Sequence, residues 1–402
     1  MKISINKSIR RLLIFIFYYT LFIQGVMSLL ELPQIVLYIK DFLLLVCVFF
    51  HLYSKRKKVS NDFYILIAFL IICLFSFICN HILLFSFAVA IRKLFRGFIY
   101  FYLCKSYVRI KDVNRIMINC CKINVFNLLI IFLQRSFFGL HQDLSNGIFG
   151  TGYTNNHLSI FCLLILGYIT YNFYISRLKL SSYIANVSII LAITLISELK
   201  ILFFLIPFTV IIILWDKLLR SKKGIKLIGL GLIALLLFLY IFNVFYGAQI
   251  QYLISIDGLI NYNDWGLATH SEVTRLNWFN YTLDNVFSNC FELFFGVGFG
   301  KVSGITFNQG SISMLQTLGY GSYCLSTIFV EVGLVGLIIF VYWWIRLLFD
   351  KFPTKELERF NFSNIILMII FLVYSNFVMN DSCFIAFFLL AIPKIYKKEF
   401  IR

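Results

Sequence analysis

Charge is what this chain has least of. Only 13% of its 402 residues are Asp, Glu, Lys or Arg, about half the share of a soluble globular domain, which this shortage excludes. The 18 acids are outnumbered by 36 bases, yet no basic stripe alternates with base-stacking aromatics. The Lys and Arg residues sit in short gaps between apolar runs, so nucleic acid is excluded as a partner. Ten cysteines form no C-x-x-C pair and no metal-ligand spacing, and read as small apolar residues. No repeat is visible at any period, which argues against a transporter built from related halves. The basic N-terminus (Lys2, Lys7, Arg10, Arg11) precedes a membrane-length apolar run without a small-residue cleavage site, so a removable signal peptide is not expected.

What remains is apolar surface: 61% of residues are hydrophobic and 19% aromatic, with mean hydropathy +0.89. With about 20 residues needed per helical crossing, the sequence predicts an all-α polytopic membrane protein of about twelve spans. These cover 11–30, 34–53, 63–79, 94–110, 116–134, 157–175, 182–197, 201–216, 227–246, 319–346, 363–379 and 383–396. Residues 80–93 read as a re-entrant or interfacial piece. The expected organisation is a membrane-embedded domain with spans one to nine in 1–246, a long polar loop over 247–318, and three further spans with a tail in 319–402.

Most Lys and Arg residues fall on the side of the N-terminus, in gaps such as SKRKKVS (54–60), RIKDVNR (109–115) and KLLRSKKGIK (217–226). The positive-inside rule then places both termini in the cytoplasm and the long loop outside the cytoplasmic membrane.

Several residues stand out against that frame. Arg92, Lys93, Arg96, Arg135, Lys200, Arg275 and Lys301 are cations on the disfavoured outer side; they suit a bound anion or, as span flanks, headgroup snorkelling. Lys40, Asp41 and Glu331 are ionisable at membrane depth, where such groups face a bundle interior as part of a site or of a packing network. Lys40 and Asp41 point about 100° apart on a helix, so they need not pair with each other. Asn155, Asn156 and His157 follow a Gly-rich turn, where a helix N-terminus suits a phosphate oxygen or simply needs a cap. FFGVGFG (294–300) lacks a surrounding βαβ unit, so it reads as a tight turn seating the loop, not a dinucleotide site.

Four features occur in order: GIFGTGYTNN (147–156), the charged turn SELK (197–200), the loop segment TRLNWFNYTLDNVFSNCFELFFGVGFGKV (274–302), and VEVGLVGLIIF (330–340). Together they resemble the bacterial O-antigen and capsule polymerase/ligase family. The resemblance implies a GT-C-like, metal-independent membrane glycosyltransferase without cofactors. Its donor would be a glycan on undecaprenyl pyrophosphate, with a flippase and a chain-length regulator as possible partners. The family's two pyrophosphate-gripping arginines correspond to Lys200, a departure that loses the bidentate fork, and Arg275; Arg135 is a third candidate cation. His270, five residues before Arg275, is the candidate acceptor base. Asn155, Asn156, His157, Tyr320 and Glu331 are expected in the substrate cleft. The ligases' His before the last motif is missing: this chain has Tyr320, Gly321, Ser322 and Tyr323. That difference favours a repeat-unit polymerase over a ligase. A flippase for the same lipid-linked oligosaccharide is the reading from another functional class.

Overall fold

The computed structural model describes residues 2–53, 61–141, 144–151, 154–220, 273–304 and 314–400. The expected ninth span (227–246), most of the polar loop before residue 273, and His270 lie outside the described residues. Every regular element among the described residues is helical. The first are α1 (Lys2–Leu30), a 3-10 turn (Gln34–Tyr38) running into α2 (Ile39–Tyr53), α3 (Asn61–Cys79), α4 (Leu84–Tyr107) and α5 (Ile110–Ser136). The middle of the chain gives α6 (Asn155–Tyr174), α7 (Leu180–Ile196), α8 (Lys200–Arg220) and two short helices, α9 (Trp278–Asn285) and α10 (Cys290–Phe295). The last are α11 (Cys324–Leu348), α12 (Lys355–Tyr374) and α13 (Cys383–Phe400). Seven of the described helical stretches are long and apolar enough to cross a membrane. In hydrocarbon the backbone must pair within its own segment, which leaves helices as the form such runs take. The chain is a helical membrane protein.

Residues 80–93 are not a separate re-entrant piece. The helix starts at Leu84 and continues without a break to Tyr107. Arg92, Lys93 and Arg96 make this stretch look too polar to be a continuous span, but two of them find carboxylates inside the fold, as described below. The tenth expected span is also shorter at its start, because Tyr320–Ser322 forms a separate 3-10 turn before α11.

The chain divides into two compact units that interleave in sequence. Unit 1 comprises residues 1–65, 91–213 and 342–402; unit 2 comprises 66–90 and 214–341. In unit 1 the centre is α6, apolar on all sides and buried from His157 to Asn172, as a helix enclosed by other helices must be. It packs on α5, α7, α12 and α13, and α13 is itself buried from Cys383 to Tyr396. Aromatic contacts fill this core, among them Tyr171 stacked on Phe360 and Phe17 against Phe388.

The GIFG turn fixes where α6 begins. Gly147 and Gly150 have φ of +62° and +92°, a region open to glycine and strained for other residues. The Ile148 amide donates to Asn127 Oδ1 (2.8 Å), and the Gly147 amide and carbonyl both pair with the Gln134 side chain. A β-carbon on Gly25 of α1 would lie 2.1 Å from the Ile148 carbonyl oxygen. The turn is thus held between α1 and α5, and α6 starts a few residues later.

Unit 2 is organised around Glu331. Its buried carboxylate accepts from the amides of Gly300 (3.1 Å), Val302 (2.7 Å) and Ser303 (2.7 Å) and from the Ser303 hydroxyl. The Val330 and Glu331 carbonyls accept from the Val297 and Gly298 amides. Gly296 (φ +78°) and Gly333 (φ +67°) permit the approach: a β-carbon on either would come within 2.5 Å of opposing backbone. The Gly-rich segment is therefore a turn locked onto α11, and Gly333 is where that helix kinks.

Candidate functional site

In unit 1, the C-terminal part of α1 and the starts of α2, α6 and α13 meet the middle of α4 around a cavity of about 320 Å³, within the range of small-ligand sites. Each wall has a local reason to be there. Lys40 and Asp41 occupy the first turn of α2. Thr154 and His157 flank the first residues of α6, where the GIFG turn delivers them. Asn380 and Asp381 end the irregular link between α12 and α13. Arg92 and Arg96 are four apart on α4 and so share a face.

Their charges form a chain. Lys40 Nζ donates to Asp381 Oδ2 at 2.7 Å, and Arg96 reaches Asp381 Oδ1 at 2.8 Å. Arg96 also faces Asp41 at 3.5 Å, and Arg92 pairs with Asp41 at 3.0 Å. Lys40 and Arg96 are held further by the carbonyls of Leu37 and Met379. Lys40 and Asp41, neighbours in sequence, thus serve different partners. Burial opposes ionisation of Asp381, but Arg96 and Lys40 outweigh it and hold its carboxyl well below the usual carboxylate range.

Lys40 and Arg96 are buried, whereas Arg92 and Lys93 are partly exposed. Arg92 lies with its guanidinium 4.3 Å from the centre of the Tyr38 ring. Lys40, Arg92 and Arg96 pair with two carboxylates around one cavity, three cations to two acids among the described residues. Three helix N-termini, those of α2, α6 and α13, add their positive dipole ends. The arrangement suits an anion with several oxygens.

His157 lines the same cavity, is 5% exposed, and has no hydrogen-bond partner at either ring nitrogen among the described residues. Asn155 and Asn156 open the same helix but do not line the cavity.

The other expected site residues are placed elsewhere. Lys200 starts α8 and pairs with Glu198 at 3.6 Å across the SELK turn. Arg135 donates to the Ile196 carbonyl at 2.8 Å, a cation at the C-terminal end of α7. Neither lines the cavity. In unit 2, Arg275 is partly exposed, with its guanidinium 5.6 Å from the Tyr323 ring centre. Two residues expected in a cleft have structural roles instead. Tyr320 is fully buried in the apolar cluster with Val297, Val302 and Val330. Its hydroxyl pairs with Thr282 (2.7 Å), and burial pushes its pKa up to about 12. The Glu331 carboxylate is occupied by the turn described above.

Sequence reasoning singled out Lys40, Asp41, Arg92, Lys93, Arg96 and His157 separately and missed Asp381 altogether. The signal for Asp381 was a polar pair, Asn380-Asp381, between two apolar runs. Among the described residues, no three His, Cys, Asp or Glu side chains gather as metal ligands would. The chain matches no protein-family profile, no curated protein and no solved structure.

Proposed function

We propose that the protein is a membrane glycosyltransferase that polymerises lipid-linked polysaccharide repeat units. In this reading it transfers the growing glycan from undecaprenyl pyrophosphate to the next lipid-linked repeat, at the outer face of the cytoplasmic membrane. The topology is twelve spans in a GT-C-like arrangement with both termini in the cytoplasm. That orientation puts the starts of α2, α6 and α13, and so the charged cavity, on the outer side. The single observation carrying the reading is the surplus of positive charge around that cavity. A diphosphate leaving group needs little acid help when fixed cations neutralise the charge that develops on it. Arg92, partly exposed, meets the diphosphate; Lys40 and Arg96, fixed by Asp381, supply field from behind it. Arg275, in the loop segment of unit 2 that resembles the family, is a candidate pyrophosphate-binding cation.

Deleting the gene separates the readings. A polymerase leaves single lipid-linked repeats to accumulate, whereas a ligase of the same fold leaves long lipid-linked chains. A flippase would instead be revealed by purified protein that moves lipid-linked sugar across liposomes without lengthening it. The proposal predicts single repeats, and long lipid-linked chains in the deletion strain would reject it.

A further inference from the structure

Buried imidazoles are ordinarily hydrogen-bonded on at least one side, because a neutral ring carries one donor nitrogen and one acceptor nitrogen. His157 departs from this. It is 5% exposed, and neither nitrogen has a partner among the described residues. The ring lies 6.1 Å, centre to centre, from Phe149 of the GIFG turn, an apolar neighbour that offers it no hydrogen bond. It faces the cavity together with Lys40 and Asp41 of α2, Arg92, Lys93 and Arg96 of α4, and Asp381 before α13. The two carboxylates there are already paired with the cations. Among the described residues, the imidazole is the one side chain lining this cavity that combines proton-accepting chemistry with no hydrogen-bond partner.

We infer that His157 takes the proton from the acceptor sugar hydroxyl during glycosyl transfer. This rests on the polymerase reading above. In that step the acceptor oxygen forms a bond to the anomeric carbon of the donor glycan as the bond from that carbon to the diphosphate oxygen breaks. The hydroxyl proton moves to an imidazole nitrogen, and the electron pair of the broken bond leaves with the lipid diphosphate, facing Arg92. The proton later passes from His157 to water. One cavity would then serve both ends of the reaction: cations for the leaving group and an imidazole for the nucleophile.

The test uses full-length protein in liposomes, with inorganic pyrophosphate as the binding probe and lipid-linked glycans extracted from the deletion strain as substrate. His157→Gln keeps hydrogen-bonding capacity but cannot accept the proton. It is expected to bind pyrophosphate within about twofold of the parent protein and to lengthen glycan about a hundredfold or more slowly. Free imidazole should restore part of the rate to His157→Ala, which a purely structural role would not allow. A parent-like rate in His157→Gln overturns the inference. So does an equal loss of pyrophosphate binding and rate, which would make the ring a binding contact only. If the parent protein lengthens no glycan yet binds pyrophosphate, the polymerase reading falls and takes this step with it, whereas parent activity with a parent-like variant removes the proton step alone.

Discussion

Two groups of buried acids are stabilised in opposite ways. In unit 1, Asp41 and Asp381 are paired with Lys40, Arg92 and Arg96, and the pairing leaves positive charge at a cavity. In unit 2, the Glu331 carboxylate is satisfied by three backbone amides and one hydroxyl, with no cation among its bonds. The first arrangement brings charge of one sign to a space a ligand can enter. The second uses a single charge to bind the chain to itself. An ionisable residue at membrane depth is thus a functional candidate only after its partners are known: Asp381 contributes to an anion site, and Glu331 holds a turn closed.

The largest expected effect breaks the first arrangement. Asp381→Ala leaves Lys40 and Arg96 buried without their shared counter-charge, and removing one member of a buried pair costs about 3–5 kcal/mol. Thermal unfolding in detergent should show a large loss of stability. The double variant Lys40→Met/Asp381→Leu should recover part of it, since Lys40 is then no longer a buried unpaired charge and Arg96 keeps its contact with Asp41. The pH dependence has a definite sign. Asp381 has a depressed folded-state pKa, so its contribution is complete above the ordinary carboxylate pKa and is lost only as pH falls through the folded value. Stability should therefore be insensitive to Asp381 between pH 7 and pH 5.

Glu331→Gln breaks the second arrangement and should be milder. The amide can keep its oxygen where the three backbone amides donate and turns its donor hydrogens toward the Ser303 hydroxyl, but the bonds lose their charged acceptor, at a cost of about 1.5–3 kcal/mol. Hydrogen exchange should speed at Gly300, Val302 and Ser303; unchanged protection there would show that the carboxylate does not hold the turn.

The smallest effect is expected at Lys200. Its ion pair with Glu198 is 3.6 Å long and 26% exposed on the lysine side, though only 3% on the glutamate side, and a pair that solvent reaches from one side contributes about 1 kcal/mol. Lys200→Ala should shift the unfolding midpoint only slightly. If it abolishes polymer formation while the fold is intact, a substrate role for Lys200 distinct from its pairing with Glu198 is established.

These contrasts also explain what the sequence made legible. The helices follow from the lengths of the apolar runs, and their expected positions agree with the described elements within a few residues for most spans. The break expected over 80–93 did not materialise, because Arg92 and Arg96 are neutralised by acids from distant parts of unit 1. Local hydropathy cannot register a partner 285 residues away: Arg96 meets Asp381 only once α4 and the start of α13 are packed. The same limit made Glu331 and Tyr320 look like cleft residues, since residue type does not reveal that the groups they bind belong to the protein's own turn. His157 was legible as a helix-start residue near a Gly-rich turn. Its lack of hydrogen-bond partners was not, being a property of the whole cavity wall.

The charged cavity of unit 1 can be tested most directly by pyrophosphate binding to purified full-length protein, compared with Arg92→Ala. Arg92 is partly exposed and shares Asp41 with Arg96, so its removal should leave the fold intact. The parent protein should bind pyrophosphate in a salt-sensitive manner, and Arg92→Ala should bind at least about tenfold more weakly, the equivalent of one lost charge-assisted contact. Equal affinity in the two proteins, or no binding by the parent, would contradict the assignment of this cavity to an oxyanion.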